Sequence, residues 1–173
     1  PQTISDVSFR VAEVVAMGMH PHLPRNANPA TGTEIVTVAM GRVDVSHLSH
    51  RQMRTLSSGE QQRVRIARAI AQQTPVILLD EPTSALDVGH QELVMKVLRE
   101  LASTGVVVLT VLHDLNLAAV YADQLALLDL GRIVAFGSPR QVLTAPRLSD
   151  AYRQPMAVID HPFRECPLVL TTG

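Results

Sequence analysis

A single cysteine, Cys166, is all that the 173 residues contain. No disulfide can therefore form within the chain, and the usage agrees with a reducing compartment. No apolar run approaches the roughly 20 residues of a membrane span, and no stretch reads as a secretory leader. Charge of either sign is not in excess. A formal net charge of -1 gives no electrostatic reason to expect nucleic acid or an anionic membrane surface as the main partner. The histidine pairs His20/His22 and His47/His50 have no cysteine or carboxylate at ligand spacing, which argues against a metal site there. One further absence shapes all that follows: the G-x-x-x-x-G-K-[ST] loop that cradles nucleotide phosphates occurs nowhere in the sequence.

What the chain does have is 46% hydrophobic residues, enough for one good core and a smaller lobe or tail. Its organising stretch is Val76-Ile77-Leu78-Leu79-Asp80-Glu81-Pro82-Thr83. A short apolar run between Pro75 and Pro82 predicts a strand buried on both faces, as in helix-covered parallel sheets. Asp80 and Glu81 then fall at its C-terminal end, where open α/β sheets place ligands. One carboxylate there can hold a hard cation and a neighbour can deprotonate a water, a combination suited to phosphoanhydride hydrolysis. On these residues alone, a satisfied surface pair remains an equal alternative.

The flanking segments decide between them. Leu56-Ser57-Ser58-Gly59-Glu60-Gln61-Gln62-Arg63-Val64 precedes the strand, and Ser84-Ala85-Leu86-Asp87 and Leu112-His113-Asp114 follow it. In this order they resemble the signature loop, Walker B strand, D-loop and switch histidine of the ATP-binding subunits of ABC transporters. Pro1-Gln2 resembles the Q-loop of that family, so the resemblance covers essentially the whole chain. It implies a P-loop NTPase (RecA-like) α/β core with a mainly parallel sheet and an ABC-type helical subdomain. The expected divisions are residues 1–73 for the Q-loop and helical subdomain, 74–145 for the C-terminal part of the core, and 146–173 for a tail.

The resemblance also implies roles. Glu81 would be the base that polarises the attacking water, Asp80 would hold Mg²⁺, and Gln2 would touch the metal or the water. Ser57, Ser58, Gly59 and Glu60 would meet the γ-phosphate of ATP on a second copy, with Asp87 ending the D-loop and competing as a local helix cap. His113 would be the switch. Ser58 stands where the family has glycine in L-S-G-G-Q. If that position requires positive φ, serine is strained there; if its hydroxyl bonds the phosphate, it is an asset. Glu60 replaces the usual glutamine.

Along the rest of the chain, Ser8 is expected to cap a helix of about ten residues carrying Val11, Val14 and Val15, with Gly18 stopping it in the left-handed conformation. The stretch Leu23 to Thr33, rich in Pro, Asn, Ala, Gly and Thr, reads as a loop. Glu34 to Val43 suits helix or strand, and the family supplies a helix. Glu60 to Gln73 predicts a helix with Val64, Ala67, Ile70 and Ala71 inward and Arg63, Arg65 and Arg68 on a solvated face. Helical spacing from Val88 to Leu101, a break at Gly105 and a buried strand from Val106 to Val111 follow. Leu115 to Ala122 predicts a short helix, and Leu125–Asp129 with Arg132–Phe136 two strands joined at Leu130-Gly131. Ser138-Pro139-Arg140-Gln141 opens another helix with a capping box.

Met17-Gly18-Met19-His20-Pro21-His22 and Val111-Leu112-His113-Asp114-Leu115-Asn116 resemble ATPases of iron-siderophore, haem and cobalamin importers, and the C-terminal layout resembles the haem group. The implied activity is ATP hydrolysis coupled to uptake of haem or a related iron compound, with a siderophore or cobalamin as the alternative cargo. The implied partners are a second copy arranged head-to-tail, transmembrane permease subunits at the cytoplasmic face and, indirectly, a substrate-binding protein. Soluble ABC-type ATPases of DNA repair or translation usually interrupt the nucleotide domain with a long coiled coil or join two such domains in one chain, and no heptad insertion stands between Gln2 and Asp80. A non-catalytic fragment is the third reading. Without the phosphate-cradling loop, this chain by itself is expected to be inactive and to look like the C-terminal part of a longer protein.

Overall fold

A computed structural model describes residues 9–19 and 29–172. Contacts divide the chain into two compact units, one running to Val111 and one starting at Leu112. Gln2, Ser8, His20 and His22 lie outside the described residues.

The first unit begins with three mutually packed helices, α1 (Val11–Ala16), α2 (Pro29–Arg42) and α3 (Ser58–Ala71). α1 is shorter than the expected ten residues and passes into a 3-10 turn, Met17–Met19. Arg10 occupies its N-cap position, where its backbone N–H donates to Glu13 Oε2 at 2.8 Å. Gly18 does not stop the helix in a left-handed conformation; its φ is not positive. It is glycine because the turn runs against α3, and a Cβ there would collide with the carbonyl oxygen of Arg68.

The segment expected to be a loop up to Thr33 is already helical from Pro29. Proline at the first helical position needs no N–H and presets φ, so the composition that suggested a loop also suits a helix start. Within α2 and just beyond it, Val36, Ala39, Met40 and Val43 are buried, a helical spacing. The exposed Val38 is what blurred that period in the sequence.

α3 buries Val64, Ile66, Ala67 and Ala71. Arg63 is not on a solvated face. It is 6% exposed, and its Nη1 donates to the carbonyls of Val43 at 3.2 Å and Asp44 at 2.7 Å, with the Asp44 carboxylate 3.6 Å away. Asp44 has φ 54, so the chain turns sharply after α2 and leaves carbonyls that Arg63 satisfies. The helical period of α3 places Arg65 and Arg68 outward but carries Arg63 inward.

β1 (Val76–Asp80) and β2 (Val107–Val111) pair in parallel, with Val76 opposite Val107 and Asp80 opposite Val111. α4 (Val88–Ser103) connects them and packs on β2. The expectation that both strands are buried on both faces does not hold. Leu78 is 69% exposed and Leu109 63%, and Val76, Val107 and Val111 share that bare side. The fully apolar run signalled two coverable faces, whereas here one side of this two-stranded pair lies open.

The second unit contains α5 (Leu115–Tyr121), β3 (Leu125–Asp129), β4 (Arg132–Gly137), α6 (Pro139–Val142), α7 (Ala145–Tyr152), β5 (Met156–Asp160) and β6 (Pro167–Thr171). β3 and β4 form a hairpin through Leu130 and Gly131, with φ 47 and 74. Two consecutive positive φ values define the turn whose twist suits adjacent antiparallel strands. α6 starts at the expected capping box, where the Ser138 N–H donates to Gln141 Oε1 at 3.0 Å. β5 and β6 form a second antiparallel hairpin, and Val169 joins Ala119, Leu127, Val142, Leu143 and Leu148 in one core. Asn116 ties that hairpin to α5. Its side-chain amide donates to the Val169 carbonyl at 3.1 Å and accepts from the Val169 N–H at 2.7 Å.

Candidate active site

The signature segment folds as the start of α3. Ser57 is its N-cap: the Ser57 hydroxyl accepts from the Glu60 N–H at 3.2 Å, and the Glu60 carboxylate accepts from the Ser57 N–H at 2.8 Å. This reciprocal box satisfies two of the groups that a helix start leaves open. The N–H groups of Ser58 and Gly59 head the helix, at the positive end of its dipole, where anions are stabilised. The carboxylate of Glu60 is turned back into the cap, with Arg51 Nη1 3.9 Å away. Its pKa is held below the ordinary glutamate range, chiefly by the Ser57 N–H.

Ser58 is the first residue of α3 and does not have positive φ. The strain foreseen for serine at this position is therefore absent from this conformation. Gly59 is the constrained residue of the pair. A Cβ on it would lie 2.9 Å from the carbonyl oxygen of Ala85, closer than packed atoms come. The start of α3 and the turn after β1 thus touch through backbone.

At the end of β1, Asp80 is exposed and Glu81 half-buried. The Glu81 N–H continues the strand ladder by donating to Val111 at 3.1 Å. Its φ is 45, a left-handed conformation that a non-glycine residue keeps only where its surroundings hold it. Those surroundings are visible: Pro82 is fully buried, Thr83 is 7% exposed, and the Glu81 carbonyl accepts from the Ser84 N–H and the Ser84 hydroxyl at 3.3 and 3.1 Å.

Asp87 caps α4, accepting from the His90 N–H at 2.9 Å, and its carboxylate also meets His90 Nδ1 at 2.8 Å. The same N–H is the main reason its pKa lies below the ordinary aspartate range. Of its two expected roles, the local cap is the one this structure displays. His113 belongs to the second unit, where it is exposed and stands just before Asp114, whose carboxylate caps α5 by accepting from the N–H groups of Asn116 and Leu117 at 2.8 and 2.9 Å.

The first unit therefore brings together Ser57, Ser58, Gly59, Glu60 and the turn leading from Asp80-Glu81 to Asp87. Reasoning from the sequence missed His90 and Gln91 and named Ser84 only as part of the D-loop stretch; all three brace that turn. No residue pattern marks them, and only their hydrogen bonds to the turn distinguish them. For Mg²⁺, the donor set at the strand end is hard carboxylate oxygen, and a cation that keeps most of its waters needs only one or two such groups. Asp80, exposed at the tip of β1, fits that demand.

Residues 5–84 match the ABC transporter family. The hemin import ATP-binding protein of Nocardia farcinica is 48% identical over 94% of this chain. That of Pseudomonas fluorescens strain Pf-5 is 44% identical, covering 98% of this chain and 68% of its own length. Among solved structures, a metal-chelate type ABC transporter in an inward-facing conformation superposes with a TM-score of 0.82 at 32% identity, over 98% of this chain and 69% of that one. The chain belongs to the ATP-binding subunits of ABC transporters, and its fold is that of the P-loop NTPase cassette. It spans about half the length of some curated relatives it matches, 56% for the Nocardia protein. Among the described residues no helix is long and apolar enough to cross a membrane.

Proposed function

We propose that the chain serves an ABC importer as its ATP-hydrolysing subunit and couples hydrolysis to uptake of hemin or a related iron compound. The observation that supports this most is the contact of Gly59 with Ala85: it joins the anion-attracting start of α3 to the turn that begins at Glu81. In this reading Glu81 accepts the proton of the attacking water, and Asp80 holds Mg²⁺. When bound, that cation supplies charge neutralisation at the phosphates. Ser58 and Gly59 offer N–H groups, and Ser57 and Ser58 hydroxyls, to the γ-phosphate of ATP carried by a second copy arranged head-to-tail. Glu60 keeps that helix start in shape, Asp87 closes the D-loop, and His113 and Gln2 act as the switch and the Q-loop arm.

The partners are permease subunits at the cytoplasmic face of the membrane and, through them, a substrate-binding protein. The 173 residues alone are proposed to lack turnover, because their sequence has no phosphate-cradling loop. Hemin as cargo follows from the likeness to hemin import ATP-binding proteins.

The test is transport. Vesicles would hold the permease together with a chimera in which the N-terminal segment of the Nocardia relative precedes residue 1. ATP-dependent hemin accumulation, absent with a non-hydrolysable analogue, is expected. Accumulation of cobalamin or a ferric siderophore in place of hemin would move the cargo, and none with any of the three would overturn the importer reading.

A further inference from the structure

We propose that Gln91 is a positioning residue whose side-chain amide locks the Thr83–Leu86 turn, fixing Glu81 and Gly59 relative to one another. The inference rests on the role of Glu81 given above and goes beyond it.

Gln91 lies half-buried in the first turn of α4. Its Nε2 donates to the carbonyl of Thr83 at 3.2 Å and to that of Leu86 at 3.2 Å. Those carbonyls flank Ser84 and Ala85, so one amide grips both ends of the turn. The Thr83 carbonyl also accepts from the Leu86 N–H at 3.1 Å, using both of its lone pairs.

Each end of the turn carries part of the site. Upstream, buried Pro82 and Thr83 hold Glu81 at φ 45, a conformation that relaxes unless both neighbours are fixed. Downstream, the Ala85 carbonyl rests on Gly59, and a Leu86 side-chain carbon would lie 3.6 Å from a Cβ there. Loosening the grip therefore frees the Glu81 carboxylate to leave the line of the strand, and it separates the turn from the α3 start. A side chain that only filled space would do neither.

Gln91→Met and Gln91→Glu keep the length of the side chain and remove its donors, the second when ionised. In the 173-residue chain, amide hydrogen exchange is expected to show protection at Leu86 falling about thirtyfold, the scale of two ordinary hydrogen bonds, with α3 amides unchanged. Unchanged protection at Leu86 in both variants would overturn the clamp.

In the Nocardia chimera, both variants are expected to lower kcat about tenfold and leave KM for ATP within about twofold, because the loss falls on transition-state geometry. A loosened turn with normal kcat, alongside an inactive Glu81→Gln comparator, would overturn the positioning role and leave the role of Glu81 standing. Normal kcat in the comparator as well would instead remove the reading on which the inference rests.

Discussion

Gly59 faces the carbonyl oxygen of Ala85 so closely that a Cβ on it would lie 2.9 Å from that oxygen. Two backbone segments meet there, so no flexible side chain can yield. Gly59→Ala is expected to push the turn off the helix start and to destabilise the first unit by about 1–3 kcal/mol, the usual penalty for overpacking. Thermal melting checks this, and a variant that melts with the unaltered chain would show the contact to be loose.

Ser58→Gly carries the opposite expectation from one based on strain. Ser58 is helical and free of positive φ, so glycine relieves nothing and adds backbone entropy to the unfolded state. The variant should be less stable by roughly 0.5 kcal/mol, and in the chimera it should not tighten ATP-dependent pairing. Pairing measured against ATP concentration decides, and tighter pairing would mean that the residue passes into the left-handed region when the copies close.

Arg63→Met removes the donors that satisfy Val43 and Asp44 and leaves two carbonyls short of partners beneath a packed helix. About 2–3 kcal/mol of stability should be lost, lowering the melting temperature by roughly 5–10 °C. Arg63→Lys should recover only part of it, since the shorter side chain brings its ammonium short of the position of Nη1, the one nitrogen that makes both bonds. Full recovery by lysine would reduce the role of Arg63 to simple charge.

Acid should loosen the starts of α3 and α4 first. Glu60 and Asp87 both have pKa values depressed by backbone N–H donors, from Ser57 and His90 respectively. A depressed carboxylate contributes stability that is complete above its unfolded pKa and is lost as pH falls through the folded value. Stability should therefore be flat in these groups near neutrality and decline below the ordinary carboxylate range. Amide shifts at Ser57 and His90, followed by NMR, should move together with that decline, and Glu60→Gln should remove the Ser57 component.

Much of this fold was legible because local chemistry and tertiary structure agree. The capping box at Ser138, the break at Gly105 and the Leu130-Gly131 turn all follow from residues within four positions of each other. The misreadings share a different cause. Arg63 looked solvated because its partners, Val43 and Asp44, are 20 and 19 positions away. Gly18 looked like a stop signal because nothing local reveals Arg68 beside it. Asp80, Glu81 and Asp87 were expected as site residues from the family pattern around them, whereas the brace made by Ser84 and Gln91 rests on bonds within the turn and the first turn of α4 that no residue pattern marks. The bare side of β1 and β2 was invisible for the same reason: an apolar run states what it can bury, not what is there to cover it.

Glu81, held at φ 45 at the end of β1, is proposed to be the base for ATP hydrolysis. Its most direct test is single-turnover hydrolysis by the Nocardia chimera carrying Glu81→Gln, with ATP binding measured on the same preparation. The amide keeps the shape of the side chain but cannot take the proton. Binding close to that of the unaltered chimera with hydrolysis nearly abolished is the predicted result. Hydrolysis near the unaltered rate, with binding intact, would contradict it.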